Sequence, residues 1–246
     1  MTQPGTGSRV DAYRAARTAV LARIAEACHR AGRDPTSVAL VAVSKTVEAE
    51  RLLDAVAAGL DLLGENRVQE AAGKASLVPG ARWHMVGPLQ ANKVRRALEV
   101  FEVIESVDSV GLAERMDRVL GVVRPTPSYP ILLQVNVDAD PAKAGFDPTD
   151  LPAAIAAITL LESLDVRGLM TIGRLVTDPE QARPTFQRLR GLATELRDEG
   201  RQIGPELSMG MTDDFEVAVE EGATIVRVGR ALFGERPAHD HDHTHN

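Results

Sequence analysis

The sequence predicts an α/β chain folded as a single (β/α)8 TIM-like barrel with an extra helix at its N-terminus. Three observations carry this. Eight short apolar runs alternate with seven stretches of helical period along 246 residues, a length that one such barrel commonly fills. The turn after the first run, Ser44-Lys45-Thr46, holds no glycine, whereas an open doubly wound sheet calls for a glycine-rich turn there. The alternation also stays in phase across the proline-bearing segment 123–130, which therefore reads as a connecting loop and not as a domain boundary.

Taken in order, residues 1–8 are polar, lack a signal-peptide core and read as a flexible leader. From Arg9 to Ala31, the residues Val10, Tyr13, Ala16, Val20, Ile24 and Ala27 recur at three- and four-residue steps and form one helical face. Gly32 ends that helix and Asp34-Pro35 opens a loop. The run 38–43 is rich in Val and reads as a strand buried on both faces. Further strands are expected at 60–63, 83–86, 103–107, 131–137, 166–171, 206–209 and 223–228. The helices expected between them cover 47–58, 66–76, 91–100, 111–122, 150–161, 180–199 and 215–221. The barrel is expected to span 9–236. A disordered tail, 237–246, follows it and carries four of the six histidines; alternating His there is read as a tail and not as a physiological metal site.

Composition excludes several classes of function. A formal charge of −7 and a pI near 5.4 argue against a nucleic-acid-binding surface. No apolar run approaches the ~18 residues of a membrane span. Cys28 stands alone, so no internal disulfide can form, which suits a reducing cytoplasm. Its place in an apolar helical pattern makes it a packed thiol.

Barrel sites lie at the carboxyl ends of strands. Those ends place Lys45, Asn66, His84, Asn136, Met170, Ser208 and Arg227 around one rim. Lys45 follows an apolar strand, and partial desolvation there favours the neutral, nucleophilic amine that attacks an aldehyde. The alternative is a lysine that merely snorkels out of a strand end. Ser208 and Gly210 after the seventh strand, with Gly229 and Arg230 after the eighth, form a candidate anion site, since glycines allow close backbone approach. The alternative is a pair of turns with a capping hydroxyl. Arg227 on an apolar strand is either a ligand contact or half of an ion pair. Asn66 is a ligand contact or a helix cap; His84 is a satisfied core residue or a contact. Glu65 and Glu70 read as helix-dipole and surface charges.

Five ordered motifs bring these residues together: Val41-Ala-Val-Ser-Lys-Thr46, Gly64-Glu-Asn-Arg-Val-Gln-Glu70, Trp83-His-Met-Val-Gly-Pro-Leu-Gln-Ala-Asn-Lys93, Leu207-Ser-Met-Gly-Met-Thr-Asp-Asp214 and Val226-Arg-Val-Gly-Arg-Ala-Leu-Phe-Gly234. In this order they resemble the pyridoxal-phosphate homeostasis protein family, whose barrel is similar to the N-terminal domain of alanine racemase. The resemblance implies a chain that carries or buffers pyridoxal 5'-phosphate (PLP) through a Schiff base on Lys45, with no catalytic residue. Asn66 would lie near the cofactor. Ser208, Gly229 and the backbone of Arg230 would hold its phosphate, with Gly210 in the same loop system, and Arg227 would face the pyridine nitrogen. Lys143 matches a family loop and is either a second aldehyde-reactive lysine or a solvated loop charge; Lys93 is another candidate contact. The chain departs from the family at Arg67, where an aromatic residue is usual, and at Val47 and Glu48, where the family often carries a further Lys and a Pro just after Ser-Lys-Thr.

The partners this implies are PLP, free amino acids and apo-enzymes that use PLP, with no nucleic acid and no membrane. The rival reading is a PLP-dependent amino-acid racemase. It needs an acid/base on each face of the substrate. The second is a Tyr from a β-rich domain that this chain is expected to lack, and its only tyrosines are Tyr13 and Tyr129. Without that domain's interface, a monomer is expected.

Overall fold

The computed structural model describes residues 6–123, 128–174 and 176–234. Eight parallel strands close into a barrel in chain order. They are β1 (Ala39–Val43), β2 (Leu62–Glu65), β3 (Arg82–Met85), β4 (Val103–Val107), β5 (Tyr129–Gln134), β6 (Leu164–Met170), β7 (Glu206–Ser208) and β8 (Ile225–Val228). The barrel predicted from the alternation is the one observed.

Helix α1 (Thr6–Arg30) precedes the barrel. It starts at Thr6, so residues 6–8, expected in the leader, belong to its first turn. Residues 1–5, 124–127 of the proline-bearing connection and the tail 237–246 lie outside the described residues. The ring of helices comprises α2 (Ala49–Ala57), α3 (Val68–Ala75), α4 (Val94–Val100), α5 (Val110–Val123), α6 (Leu151–Ile158), α7 (Arg183–Asp198), α8 (Phe215–Glu220) and the short α9 (Arg230–Phe233). None of the described helices is long and apolar enough to cross a membrane.

Strand alternation splits the core in two. One set of side chains, such as Ala42, Leu63, Ile104 and Leu133, faces the helices and forms the large outer core. The other set, Val41, Leu62, Val86, Leu132, Met170 and Ile225, packs as a separate cluster inside the barrel. Helix α1 lays Val20, Ile24, Ala27 and Cys28 over the outer ring, all buried. Burial pushes the Cys28 thiol up, so it is the packed, unreactive thiol expected.

Candidate functional site

The period of two that fills the barrel also builds its rim. In phase with Val41 and Val43, the next residue of the first unit is Lys45. In phase with Leu62 and Gly64 comes Asn66, and in phase with Ile225 come Arg227 and Gly229. These four residues line one cleft of ≈ 600 Å³, together with Ile172, Thr212 and Arg230. That size suits a small organic ligand. Pairing of β1 with β8, with Val41 opposite Arg227, closes the barrel and sets Lys45 beside the residues of the last strand.

Lys45 is half-buried in a turn in which Val47 N–H donates to Ser44 O at 3.0 Å. The next residue, Thr46, has φ of +66°. A β-branched residue in that region costs about 1–2 kcal/mol, so the surroundings must hold it. Lys74 does so from α3, donating to Ser44 O at 3.1 Å and to Glu65 Oε1 at 2.6 Å, while Ser44 Oγ donates to the same carboxylate at 3.1 Å. Glu65 is therefore no surface charge. β2 runs two residues further than expected and carries Glu65 to full burial. Burial raises its pKa, and Lys74 and Ser44 pull against that rise.

Arg227 forms the floor of the cleft and is almost wholly buried. Its Nη1 donates to Ser208 Oγ at 2.5 Å and its Nη2 to Thr171 O at 2.7 Å. Ser208 Oγ in turn donates to Glu105 Oε2 at 2.6 Å. Glu105 Oε1 lies 2.6 Å from His84 Nδ1. For Glu105, burial is the largest influence and raises its pKa, but His84, Arg227 and Ser208 together outweigh it and leave the carboxyl below its usual range. Burial draws the Arg227 guanidinium below its ordinary value, against the pull of Glu105 and Asp214. Arginine stays protonated even so. Its two bonds to the protein leave the other N–H donors for the cleft.

Several expected contacts are placed elsewhere. Ser208 is fully buried at the last position of β7, below the rim, and its hydroxyl is committed to Arg227 and Glu105. Gly210 is a packing glycine: its φ is +89°, a Cβ would stand 2.5 Å from Ala218 Cβ, and its carbonyl accepts from Arg227 N–H at 3.0 Å. Asn136 braces its own loop, donating to Asp140 O at 2.8 Å. Lys143 is half-buried and does not line the cleft. It donates to Ile172 O at 3.2 Å and Gly173 O at 2.9 Å, tying its loop to the end of β6. His84 is the satisfied core histidine, and Met170 packs inside the barrel. Asn66 caps nothing, since Arg67 is the N-cap of α3. Among the described residues its side-chain amide has no hydrogen-bond partner, and it lines both the main cleft and an adjoining one of ≈ 400 Å³ that includes Arg67 and Lys93. No group of His, Cys, Asp or Glu among the described residues could hold a metal ion.

Two residues escaped the sequence. Thr212 lines the cleft four residues past β7, and its Oγ1 accepts from Gly229 N–H at 3.3 Å. It is the next hydroxyl along the Ser208 motif, and that was the available signal. Glu105 is the one charge in β4, at an inward position beside Val, Ile and Ser, a pattern that asks for a buried partner. The rim thus presents a primary amine, a buried guanidinium, and a hydroxyl beside backbone N–H groups, three recognition elements of different chemistry around one small cleft.

Comparison with known proteins shows which family the chain resembles. The alanine racemase N-terminal domain family matches residues 16–237. The chain is 44% identical over 222 residues to the pyridoxal phosphate homeostasis protein of Pseudomonas aeruginosa, covering 88% of this chain and 93% of that protein. It is similar to a crystal structure of an unknown protein from Bifidobacterium adolescentis, at 37% identity and a TM-score of 0.83, covering 94% of this chain and 98% of that one. It is also similar to the PLP-bound structure of PipY from Synechococcus elongatus, at 43% identity and a TM-score of 0.75, covering 86% of this chain and 100% of that one.

Proposed function

The chain belongs to the pyridoxal phosphate homeostasis protein family, within the alanine racemase N-terminal domain fold, and on that premise we propose that it binds PLP in the Lys45 cleft and carries or buffers the cofactor without robust catalysis. The observation that carries the reading is the convergence of Lys45, Thr212, Gly229 and Arg227 on one cleft. This donor set matches the ends of PLP: an amine for the aldehyde, a guanidinium for the pyridine nitrogen, and a hydroxyl with backbone N–H groups for the phosphate. A Cβ at Gly229 would stand 3.3 Å from Val43 O, so the glycine lets this turn pack closely on the end of β1.

Bound PLP supplies an aldehyde that amines attack and a ring that draws electrons from what they attach. Lys45 Nζ forms the Schiff base. Thr212, Gly229 and the Arg230 backbone hold the phosphate in place of Ser208, and Asn66 flanks the ring. Arg227 donates to the ring nitrogen and leaves it unprotonated, so the ring is a weak electron sink. Neither tyrosine serves the opposite face. Tyr13 accepts from Arg51 Nε at 3.1 Å against Phe233, and Tyr129 donates to Phe101 O at 2.7 Å. Every cleft residue comes from one barrel, which fits a monomer. One buried cysteine fits a reducing cytoplasm. Free amino acids and apo-enzymes that need PLP are the partners of such a carrier.

The test is an absorbance titration of the apo-protein with PLP. A visible imine band should appear and borohydride should abolish it; no reducible band would end the reading. With L-amino acids in deuterated water, exchange of the α-proton should run slower than ~1 s⁻¹. Faster exchange would make the protein a racemase. Thr212→Val should weaken PLP binding by about 1–3 kcal/mol and leave binding of unphosphorylated pyridoxal unchanged, as measured by the same titration. An equal loss for both ligands would move the phosphate elsewhere.

A further inference from the structure

We propose that Glu105 is a positioning and charge-setting residue of the cleft: through Ser208 it fixes Arg227, and its negative charge keeps the Lys45 imine protonated to higher pH. The inference rests on the PLP reading above. Glu105 sits at the centre of β4 with no exposed surface, one carboxylate oxygen 2.6 Å from His84 Nδ1 and the other accepting from Ser208 at 2.6 Å. Ser208 passes that hold to Arg227 at 2.5 Å, and Thr171 O secures the second arm of the guanidinium at 2.7 Å. Four strands, β3, β4, β7 and β8, thus contribute to one buried chain that ends at the cleft floor.

A buried ion pair of this kind adds little net stability, because desolvation offsets attraction. Its effect falls on the potential in the cleft. Arg227 alone would place a full positive charge under the Lys45 imine, which is itself cationic when protonated, and Glu105 counters it. The other titratable and charged groups around them are His84 on β3, Glu206 on β7 with Arg167 and Asp165 near it, Asp214 beside Arg227, the Asp213–Arg230 pair at the rim, and the Glu65–Lys74 pair under Ser44. Of these, Glu105 and Asp214 are the carboxylates acting on Arg227.

The experiment is a pH titration of the imine band in holoprotein. Glu105→Gln keeps shape and acceptor but removes the charge, and should lower the midpoint of imine deprotonation by about one pH unit. Glu105→Asp keeps the charge and should return the midpoint to near that of the unaltered protein. An unchanged midpoint in Glu105→Gln overturns the proposal, and so does an equal fall in Glu105→Asp, which would mark a packing effect. Absence of a reducible band in the unaltered protein would instead sink the Lys45 reading. If Glu105→Gln does not fold, Ser208→Ala decides. It cuts the link to Arg227 and should weaken PLP binding about fivefold or more; unchanged affinity overturns the proposal.

Discussion

Lys45→Ala is expected to abolish covalent capture of PLP: after borohydride and digestion, no peptide should carry a pyridoxyl group. The chain has four lysines, and the structure separates them. Lys45 alone among them lines the main cleft. Lys74 is held by Glu65 and by Ser44 O. Lys143 is held by the carbonyls of Ile172 and Gly173. Lys93 lines the adjoining cleft, beyond Asn66. A Schiff base needs an amine placed at the aldehyde carbon while the phosphate and ring are held elsewhere. The variant should keep noncovalent affinity through Thr212, Gly229 and Arg227 but lose the reducible band entirely. Mass spectrometry of the reduced, unaltered protein should place the label on Lys45; a label mainly on Lys93 or Lys143 would refute the assignment.

Gly168→Ala is expected to cost the most stability, about 3–5 kcal/mol, and to lower Tm by roughly 10 °C. Gly168 lies on β6 opposite Glu206 of β7. A Cβ there would stand 1.9 Å from Glu206 O and 2.7 Å from its carbonyl carbon. Both atoms are backbone, so no rotamer change relieves the clash. The register between β5 and β6 also slips here, from Ile131 opposite Val166 to Leu132 opposite Gly168. β7 is three residues long and is held on its other side by Leu207 O, which accepts from Thr224 N–H at 2.9 Å, and by the Ser208 hydroxyl network. Pushing it outward would displace Ser208 and with it the support of Arg227. Chemical denaturation measures the loss; an effect below about 1 kcal/mol would show that β7 can shift freely.

The barrel was legible because its strands are apolar runs bounded by polar turns. β4 matches its expected bounds and β1 differs by one residue. Errors fell where polarity misleads. The apolar run that marks β2 stops at Leu63, yet Lys74 pairs with Glu65 and the strand continues to Glu65. β5 was placed too late. Its start carries Pro130, and beyond Val135, whose N–H still donates to Met170 O at 2.8 Å, the expected end turns away, with Asn136 N–H donating to Phe146 O of its own loop. Of the residues that period and motif single out, Lys45, Asn66, Arg227, Gly229 and Arg230 line one cleft. Depth was not legible, since a strand-end Ser reads the same whether its hydroxyl crosses the rim or lies beneath it. Ser208 lies beneath it because Arg227 and Glu105 reach in from two other strands, and such pairings have no local signature in sequence.

Helix α1 also imposes an order in time. It packs against α2, α8 and α9, and its Arg23 and Arg30 pair with Glu216 and Glu220, 193 and 190 residues further along. Segments 193 and 190 residues apart must therefore both be made before these contacts can form. At about 5–20 residues per second, the 193 residues that separate Arg23 from Glu216 take roughly 10–40 s to synthesise. Throughout that interval Val20, Ile24 and Ala27 lack the α8 surface that covers them in the finished barrel. The nascent chain must tolerate an uncovered apolar helix, and the closing of β1 onto β8 with the docking of α1 becomes the late, long-range step of folding.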